Sequence, residues 1–137
     1  MNMNHHRAIQ RLRLGRARVL SGWTQRTSRS ADKDGNILVC VDQAIRGELI
    51  TAHDSDDAYR EASYWLTMAA YEIEEMEHGW SYTIKPFGPS FIPASYQHFN
   101  DRVGMTKEGI ASLIDRAIEL AQGPLHHHQE RELSRSA

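Results

Sequence analysis

The densest group of side chains that could do chemistry lies at His98, Asn100 and Asp101, near the aromatic residues Trp80 and Tyr96. A histidine close to a carboxylate can transfer protons or share one metal ion. The sequence supplies no evident nucleophile, glycine-rich phosphate loop or metal-ligand spacing to accompany this pair. The interpretation we adopt is structural: Asn100 and Asp101 hydrogen-bond backbone groups and fix the path of the chain into the last helix.

Histidines and aspartates elsewhere do not add a metal centre. Consecutive histidines near both ends of the chain cannot surround one ion tetrahedrally. Residues 32–37 resemble half of a calcium-binding EF-hand loop, but no alignment of them supplies the closing glutamate. No catalytic residue, cofactor or metal ion is therefore predicted, and chemistry at His98 and Asp101 is kept as an alternative.

The composition indicates one small globular domain. The chain has 137 residues, of which 40% are hydrophobic and 25% charged, and this is enough for a single modest core. Its one cysteine, Cys40, excludes an internal disulfide, and no apolar run approaches the ~20 residues of a membrane span. We therefore expect a cytoplasmic protein that does not enter a membrane.

Positive charge is concentrated near the N-terminus. Seven arginines and no acid precede Asp32, whereas the remainder carries nine basic and eighteen acidic residues, for a net charge of −2. One interpretation is that a basic helix docks on the acidic remainder of its own domain. The other is that the arginines bind nucleic acid or another anionic surface. The arginines available for that role are Arg7, Arg11, Arg18, Arg26 and Arg29.

The first helix is predicted over residues 4–21 and ends at Gly22. One face of this helix is apolar and is formed by Ala8, Ile9, Leu12, Val19, Leu20 and Trp23. Arg7, Arg11 and Arg18 share the opposite face, which we expect to be solvated. Arg16 falls inside the apolar stripe, so it must pair with an internal carboxylate or an anionic ligand, or reach past the edge of the core to water.

A turn at Asp34 and Gly35 precedes a second helix, which is predicted over residues 37–52 with Asn36 as its cap. The β-branched residues at the start of this segment also permit a short strand there. A third helix is predicted over residues 56–77. Its core stripe consists of Ala58, Ala62, Trp65, Leu66, Ala69, Ile73 and Met76.

The third helix carries a second stripe, formed by Tyr64, Met68 and Tyr71. Either the following segment or a partner protein covers it. The C-terminal end of this helix is acidic, which the helix dipole disfavours. We expect the Arg-rich first helix to compensate that charge.

Residues 78–100 hold six of the eleven aromatics and three of the four prolines, which predicts a long ordered loop with at most a minimal hairpin. The last helix is predicted to begin at its cap, Thr106, and to end at Gly123, before Pro124. Residues 1–123 then form a single helical domain, and residues 124–137 are expected to be a flexible tail.

Several motifs occur together in a recognisable order. They are the Arg-rich helix ending in Gly22, then Trp23, the Asp34–Gly35 turn, the Ala44–Ile45 helix, the Phe99–Asn100–Asp101 triplet and the closing residues 115–121. In this order the chain resembles a small helical domain of unknown function found in actinobacteria and their phages. The resemblance spans about residues 8–122 and implies a bacterial or phage cytosol, but no mechanism. The chain departs from the family pattern at Val39, where a tryptophan is expected before Cys40.

The sequence thus predicts an all-α fold, with about four helices around one core and a long aromatic and proline-rich loop. The first functional hypothesis is a non-enzymatic accessory or interaction protein that binds a protein partner, such as a modulator of a host complex. Its candidate contact residues are Arg7, Arg11, Arg18, Tyr64, Met68, Tyr71, Trp80, Phe87, Phe91, His98, Asn100 and Asp101. The alternatives are a nucleic-acid-associated protein that uses the N-terminal arginines, and a small ligand-binding or hydrolytic domain built on His98 and Asp101.

Overall fold

The structure, a computed structural model, describes residues 3–47, 56–78 and 95–136. Its elements in chain order are α1 (Met3–Ser21), β1 (Arg29–Ala31), β2 (Ile37–Val39), α2 (Val41–Arg46), α3 (Asp56–His78), α4 (Ser95–Asn100) and α5 (Lys107–Ser136). The predicted helical class with a minimal hairpin is confirmed, with five helices and one two-stranded antiparallel sheet in these ranges.

Three long helices make the core. Each of α1, α3 and α5 packs against the other two, while α2 lies on α1, and α4 contacts α3 and α2. The core side chains come from the stripes that helical periodicity predicted, and they include Ala8, Leu12, Val19, Ala62, Leu66, Ala69, Ile110, Leu113, Ile114 and Ala117. The prediction is wrong for Met76, which is 81% exposed because it lies near the end of α3, beyond this core.

The predicted start of the second helix, directly after Asn36, is wrong. Ile37–Val39 instead forms β2, paired with β1, and α2 begins only at Val41 with Cys40 as its N-cap. Asn36 belongs to the hairpin turn, where its backbone and side-chain N–H groups both donate to Asp32, at 2.9 and 3.1 Å. These hydrogen bonds lower the pKa of Asp32. The helix ends at Gly47, whose φ of 72° is left-handed, and residues 48–52 of the prediction lie outside the described residues.

The predicted ends of two other segments also differ from the structure. Thr106 does cap α5, because its hydroxyl accepts the Gly109 N–H at 3.0 Å. The helix, however, runs through Gly123 and Pro124 to Ser136, since Gly123 does not take the positive φ of a helix-ending glycine. Both ends of the predicted loop, residues 78–100, are helical in the structure: α3 includes His78, and Ser95–Asn100 forms α4. Residues 79–94 between them lie outside the described residues, and the flexibility of residues 124–137 stays a prediction.

Arginines that follow α3 in the chain pair with carboxylates of the acidic helix end. Arg116 binds both carboxylate oxygens of Glu72 at 2.6 Å, and Arg102 lies 2.8 Å from Glu77. Both arginines follow α3 in the chain, so these ion pairs do not come from the Arg-rich first helix, and its predicted compensation of the acidic end stays a prediction. The internal partner expected for Arg16 is confirmed, because its Nε lies 2.7 Å from Asp115.

A glycine sets how closely α2 approaches α1. A Cβ atom added to Gly15 would lie 2.7 Å from Cγ2 of Ile45 and 3.3 Å from its backbone nitrogen. Both residues are fully enclosed between the two helices. The position of α2 on α1 therefore requires the absence of a side chain at residue 15.

We expect Gly15→Ala to lower the free energy of unfolding by about 1–2 kcal/mol, since the overpacking cost exceeds the gain in helix propensity. Gly123→Ala is the matched control, because no atom lies within 4 Å of the added methyl group and only the propensity gain remains. Urea unfolding of both variants measures the difference. Equal stability of the two variants would contradict the close packing of α2 on α1.

Candidate functional site

The predicted cluster around Asn100 is the buried polar centre of the molecule. Asn100 is fully buried, and its Oδ1 accepts the Trp23 indole N–H at 2.8 Å and the Val41 backbone N–H at 3.0 Å. Its Nδ2 donates to the Thr24 carbonyl at 3.3 Å and to Asp101 Oδ1 at 2.9 Å. All four hydrogen-bonding positions of the amide are thus used within the chain.

Asp101 supports the same junction. Its Oδ1 also accepts the backbone N–H of Arg26, a residue with φ of 64°, at 2.8 Å. A left-handed arginine is strained, so this hydrogen bond helps to hold the turn that follows Trp23. His98 lies on the exposed surface of α4. The structure therefore brings Asn100 and Asp101 together in a structural role and places His98 in solvent.

A second polar network connects α2, α3 and α4, and the sequence did not suggest it. The Asp42 carboxylate accepts hydrogen bonds from two hydroxyls, those of Tyr59 and, at 2.7 Å, Tyr96. Arg46 donates to the Tyr59 hydroxyl at 2.9 Å and stacks over the same ring, and the Tyr96 hydroxyl also contacts Ser63 Oγ at 3.2 Å. Burial and the adjacent Asp42 carboxylate raise the pKa of Tyr96, and burial raises that of Tyr59 as well. Both hydroxyls therefore stay protonated donors at neutral pH.

A surface cleft of about 520 Å³ lies where α1, the β-hairpin and the end of α2 meet. We call it the hairpin cleft; its lining residues are Leu14, Ala17, Arg18, Ser21, Arg29, Ile37, Val39, Gln43 and Gly47. Leu14 is 54% exposed and Ile37 is 53% exposed, two of the large apolar side chains that the described surface presents to water. A mostly apolar hollow of this size with a few polar groups is typical of a binding site.

The cations at the cleft differ in how they are held. Arg18 donates to the Ala44 carbonyl at 2.7 Å, and Arg11 donates to the carbonyls of Ile45 and Arg46 at 3.3 and 3.0 Å. These carbonyls end α2, where the helix dipole favours positive charge. The solvated face predicted for Arg11 and Arg18 is therefore only partly correct, because both guanidinium groups reach α2.

The other predicted contact residues are spread over the molecule. Arg7 is exposed on α1, whereas Tyr64, Met68 and Tyr71 of α3 are half-buried, and the Tyr64 ring packs edge-on against Trp65. Trp80, Phe87 and Phe91 lie outside the described residues. Sequence reasoning missed Leu14 and Ile37, although Leu14 lies off the apolar stripe of its helix and was a usable signal.

Comparison of the chain with protein-family models, curated proteins and solved structures gives no significant match. In the described ranges, no three side chains of the metal-ligating types are grouped as an ion would require. None of the helices described here has the length and hydropathy of a bilayer crossing.

We expect Asn100→Ala to lower the free energy of unfolding by about 2–4 kcal/mol, because it leaves the buried N–H groups of Trp23 and Val41 without an acceptor. His98→Ala, on the exposed side of the same helix, should change it by less than about 0.5 kcal/mol. Urea unfolding at neutral pH compares them. A mild effect of Asn100→Ala would show that the junction does not depend on the amide.

The tyrosine network should make the protein lose stability at high pH. The pKa of Tyr96 is raised in the folded state, so above pH ~10 the unfolded chain releases this proton while the folded chain keeps it. The free energy of unfolding should then fall with rising pH, by up to about 1.4 kcal/mol per pH unit for this group. Tyr96→Phe should reduce that slope above pH ~10 and leave the slope below pH ~9 unchanged. Urea unfolding of both proteins at a series of pH values from ~8 to ~11 measures the slopes, and identical slopes above pH ~10 would contradict this prediction.

Proposed function

We propose that this chain is a non-enzymatic interaction domain that binds a protein partner in the hairpin cleft. The observation that carries the proposal is the half-exposure of Leu14 and Ile37 on the walls of one cleft. Large apolar side chains that line a common hollow and face water are typical of an interaction surface. The partner covers both side chains when it binds, and their burial supplies much of the binding free energy.

The polar side chains of the molecule favour binding over catalysis. Asn100, Asp101 and Asp42 direct their hydrogen bonds to groups of the same chain, and those groups connect elements of the fold. His98, the candidate acid or base, is exposed on α4. A hydrolytic or ligand-binding site at His98 and Asp101 is therefore the weaker proposal.

A nucleic-acid-associated protein is the second candidate function. It is favoured by the exposed arginines in the acid-free first part of the chain, which include Arg7, Arg13, Arg26 and Arg29. Arginines of this kind bind phosphates with an affinity that falls steeply with salt. Arg11 contributes less than the sequence alone suggested, because it is half-buried and donates to two carbonyls of α2.

The motif order that resembles a domain of actinobacteria and their phages supports a proposal for the setting. We place the protein in a bacterial or phage cytosol, where it modulates a host complex through the bound partner. This setting determines the lysate in which a partner is sought.

Affinity capture from an actinobacterial lysate tests the proposed function. The bait proteins are the wild type, Leu14→Glu/Ile37→Glu, and the control Met76→Glu/Val103→Glu, which places the same charges at residues 81% and 93% exposed and outside the cleft. We expect the wild type and the control to retain one protein that the cleft variant loses. Far-UV circular dichroism establishes that all three baits fold.

The salt dependence separates the two candidate functions. A cleft partner held by apolar contacts should remain bound between about 50 and 200 mM salt, whereas nucleic acid should be released. Equal capture of protein by all three baits would contradict the cleft as the binding site. Nucleic acid that is captured at low salt, and lost in Arg7→Ala/Arg13→Ala, would favour the second candidate.

A further inference from the structure

We infer that the hairpin cleft selects a short acidic peptide segment in which apolar anchors stand between aspartates or glutamates. The inference rests on the proposed function and specifies the chemistry of the partner. It is carried by the arrangement of two cations around the apolar walls of the cleft.

The hairpin forms one wall, and its register places a cation among apolar side chains. Arg29 pairs with Val39, and Ala31 pairs with Ile37. Residues directly opposite in an antiparallel pair share a face, and residues two apart on one strand do as well. Arg29, Val39 and Ile37 therefore lie on the same face of the hairpin, and all three line the cleft.

Helix α1 forms the other wall, and its cation is held in place. Leu14, Ala17 and Ser21 follow one another at helical spacing, and Arg18 lies one turn after Leu14. The Arg18 guanidinium is fixed by its hydrogen bond to the Ala44 carbonyl, and it lies against Gly47, where an added Cβ would be 2.9 Å from it. A cation that is already positioned loses less conformational entropy when an anion binds.

The electrostatic environment favours an acidic occupant. The nine described residues that line the cleft include no acid, whereas Arg18 and Arg29 are both on its walls. Asp32, at the hairpin turn, keeps its negative charge, because the hydrogen bonds that it accepts lower its pKa, but it does not line the cleft. An anionic segment is therefore attracted to the two arginines on the walls of the cleft.

Apolar walls distinguish a peptide from a nucleic acid. A phosphate backbone offers charged and polar groups, so it would neutralise Arg18 and Arg29 but leave Leu14 and Ile37 uncovered. An acidic segment with apolar anchors covers both kinds of group. Between these two classes of macromolecule, the side chains of the cleft match the peptide.

A displayed library of random dodecapeptides tests the inference. Peptides that bind Leu14→Glu/Ile37→Glu are first removed from the library, and the remaining peptides are selected on the wild-type protein. The selected peptides therefore require the apolar side chains of the cleft for binding. We expect the surviving sequences to be enriched in Asp and Glu around apolar residues. Fluorescence anisotropy then compares the best peptide with a version whose carboxylates are replaced by amides, for which we expect affinity to fall about two- to five-fold per replaced carboxylate.

Two charge variants provide the matched comparison. Arg29→Glu should weaken binding of the acidic peptide, whereas Arg13→Glu makes the same charge change on exposed α1 surface outside the cleft lining and should have a much smaller effect. Thermal unfolding of both variants excludes loss of fold as the cause.

The outcomes separate this inference from the proposed function. Surviving peptides without acidic enrichment, or equal effects of Arg29→Glu and Arg13→Glu, would overturn the inference and leave the cleft as a binding site. A selection in which no peptide survives the depletion step would overturn both.

Discussion

The arrangement of this molecule depends on one buried amide. Asn100 is enclosed at the end of α4, where an amide with unmet hydrogen bonds would destabilise the fold by several kcal/mol. Its partners come from the end of α1, the start of α2 and the turn after α4, and one relative placement of these elements satisfies all of them. The amide therefore specifies which arrangement forms, in addition to stabilising it. The hairpin cleft depends in part on this amide, because two of the elements that line it, α1 and α2, are joined through the hydrogen bonds of Asn100.

The N-terminal arginines serve two purposes that composition alone does not distinguish. Arg11 and Arg18 bind the carbonyls that end α2, and Arg16 pairs with Asp115 of α5, so these charges hold α1 against the rest of the domain. Arg13 is exposed on α1, and Arg29 is exposed on the wall of the cleft. One part of the N-terminal positive charge thus stabilises the fold, and another part lies at the surface where the proposed acidic segment would bind.

The sequence predicted the parts of this fold that depend on local periodicity. The inward faces of α1, α3 and α5 and the Thr106 cap follow from spacing within one helix. The carboxylate partner of Arg16 was expected from its place in the apolar stripe, although both side chains of the pair stay partly exposed. The segment from Ile37 was misread as helix because its pairing partner, β1, lies outside the local pattern. The cleft was missed for a related reason: Leu14 and Ile37 are 23 positions apart in the chain and become neighbours only through the hairpin fold. The Asn100 and Asp101 pair was recognisable, because short polar side chains next to a helix end usually bind backbone groups.

Helix α4 is hydrogen-bonded to α2 near both of its ends. The Tyr96 hydroxyl donates to the Asp42 carboxylate, and Asn100 Oδ1 accepts the Val41 N–H. A helix as short as α2, with six residues, does not persist alone in water. It therefore forms only when contacts more than fifty residues away in the chain close around it. The part of the cleft that α2 contributes, at Gln43 and Gly47, consequently exists only in the fully folded chain. An occupant of the cleft accordingly discriminates between native and partly folded molecules, and by mass action it protects the whole domain from opening and from proteolysis.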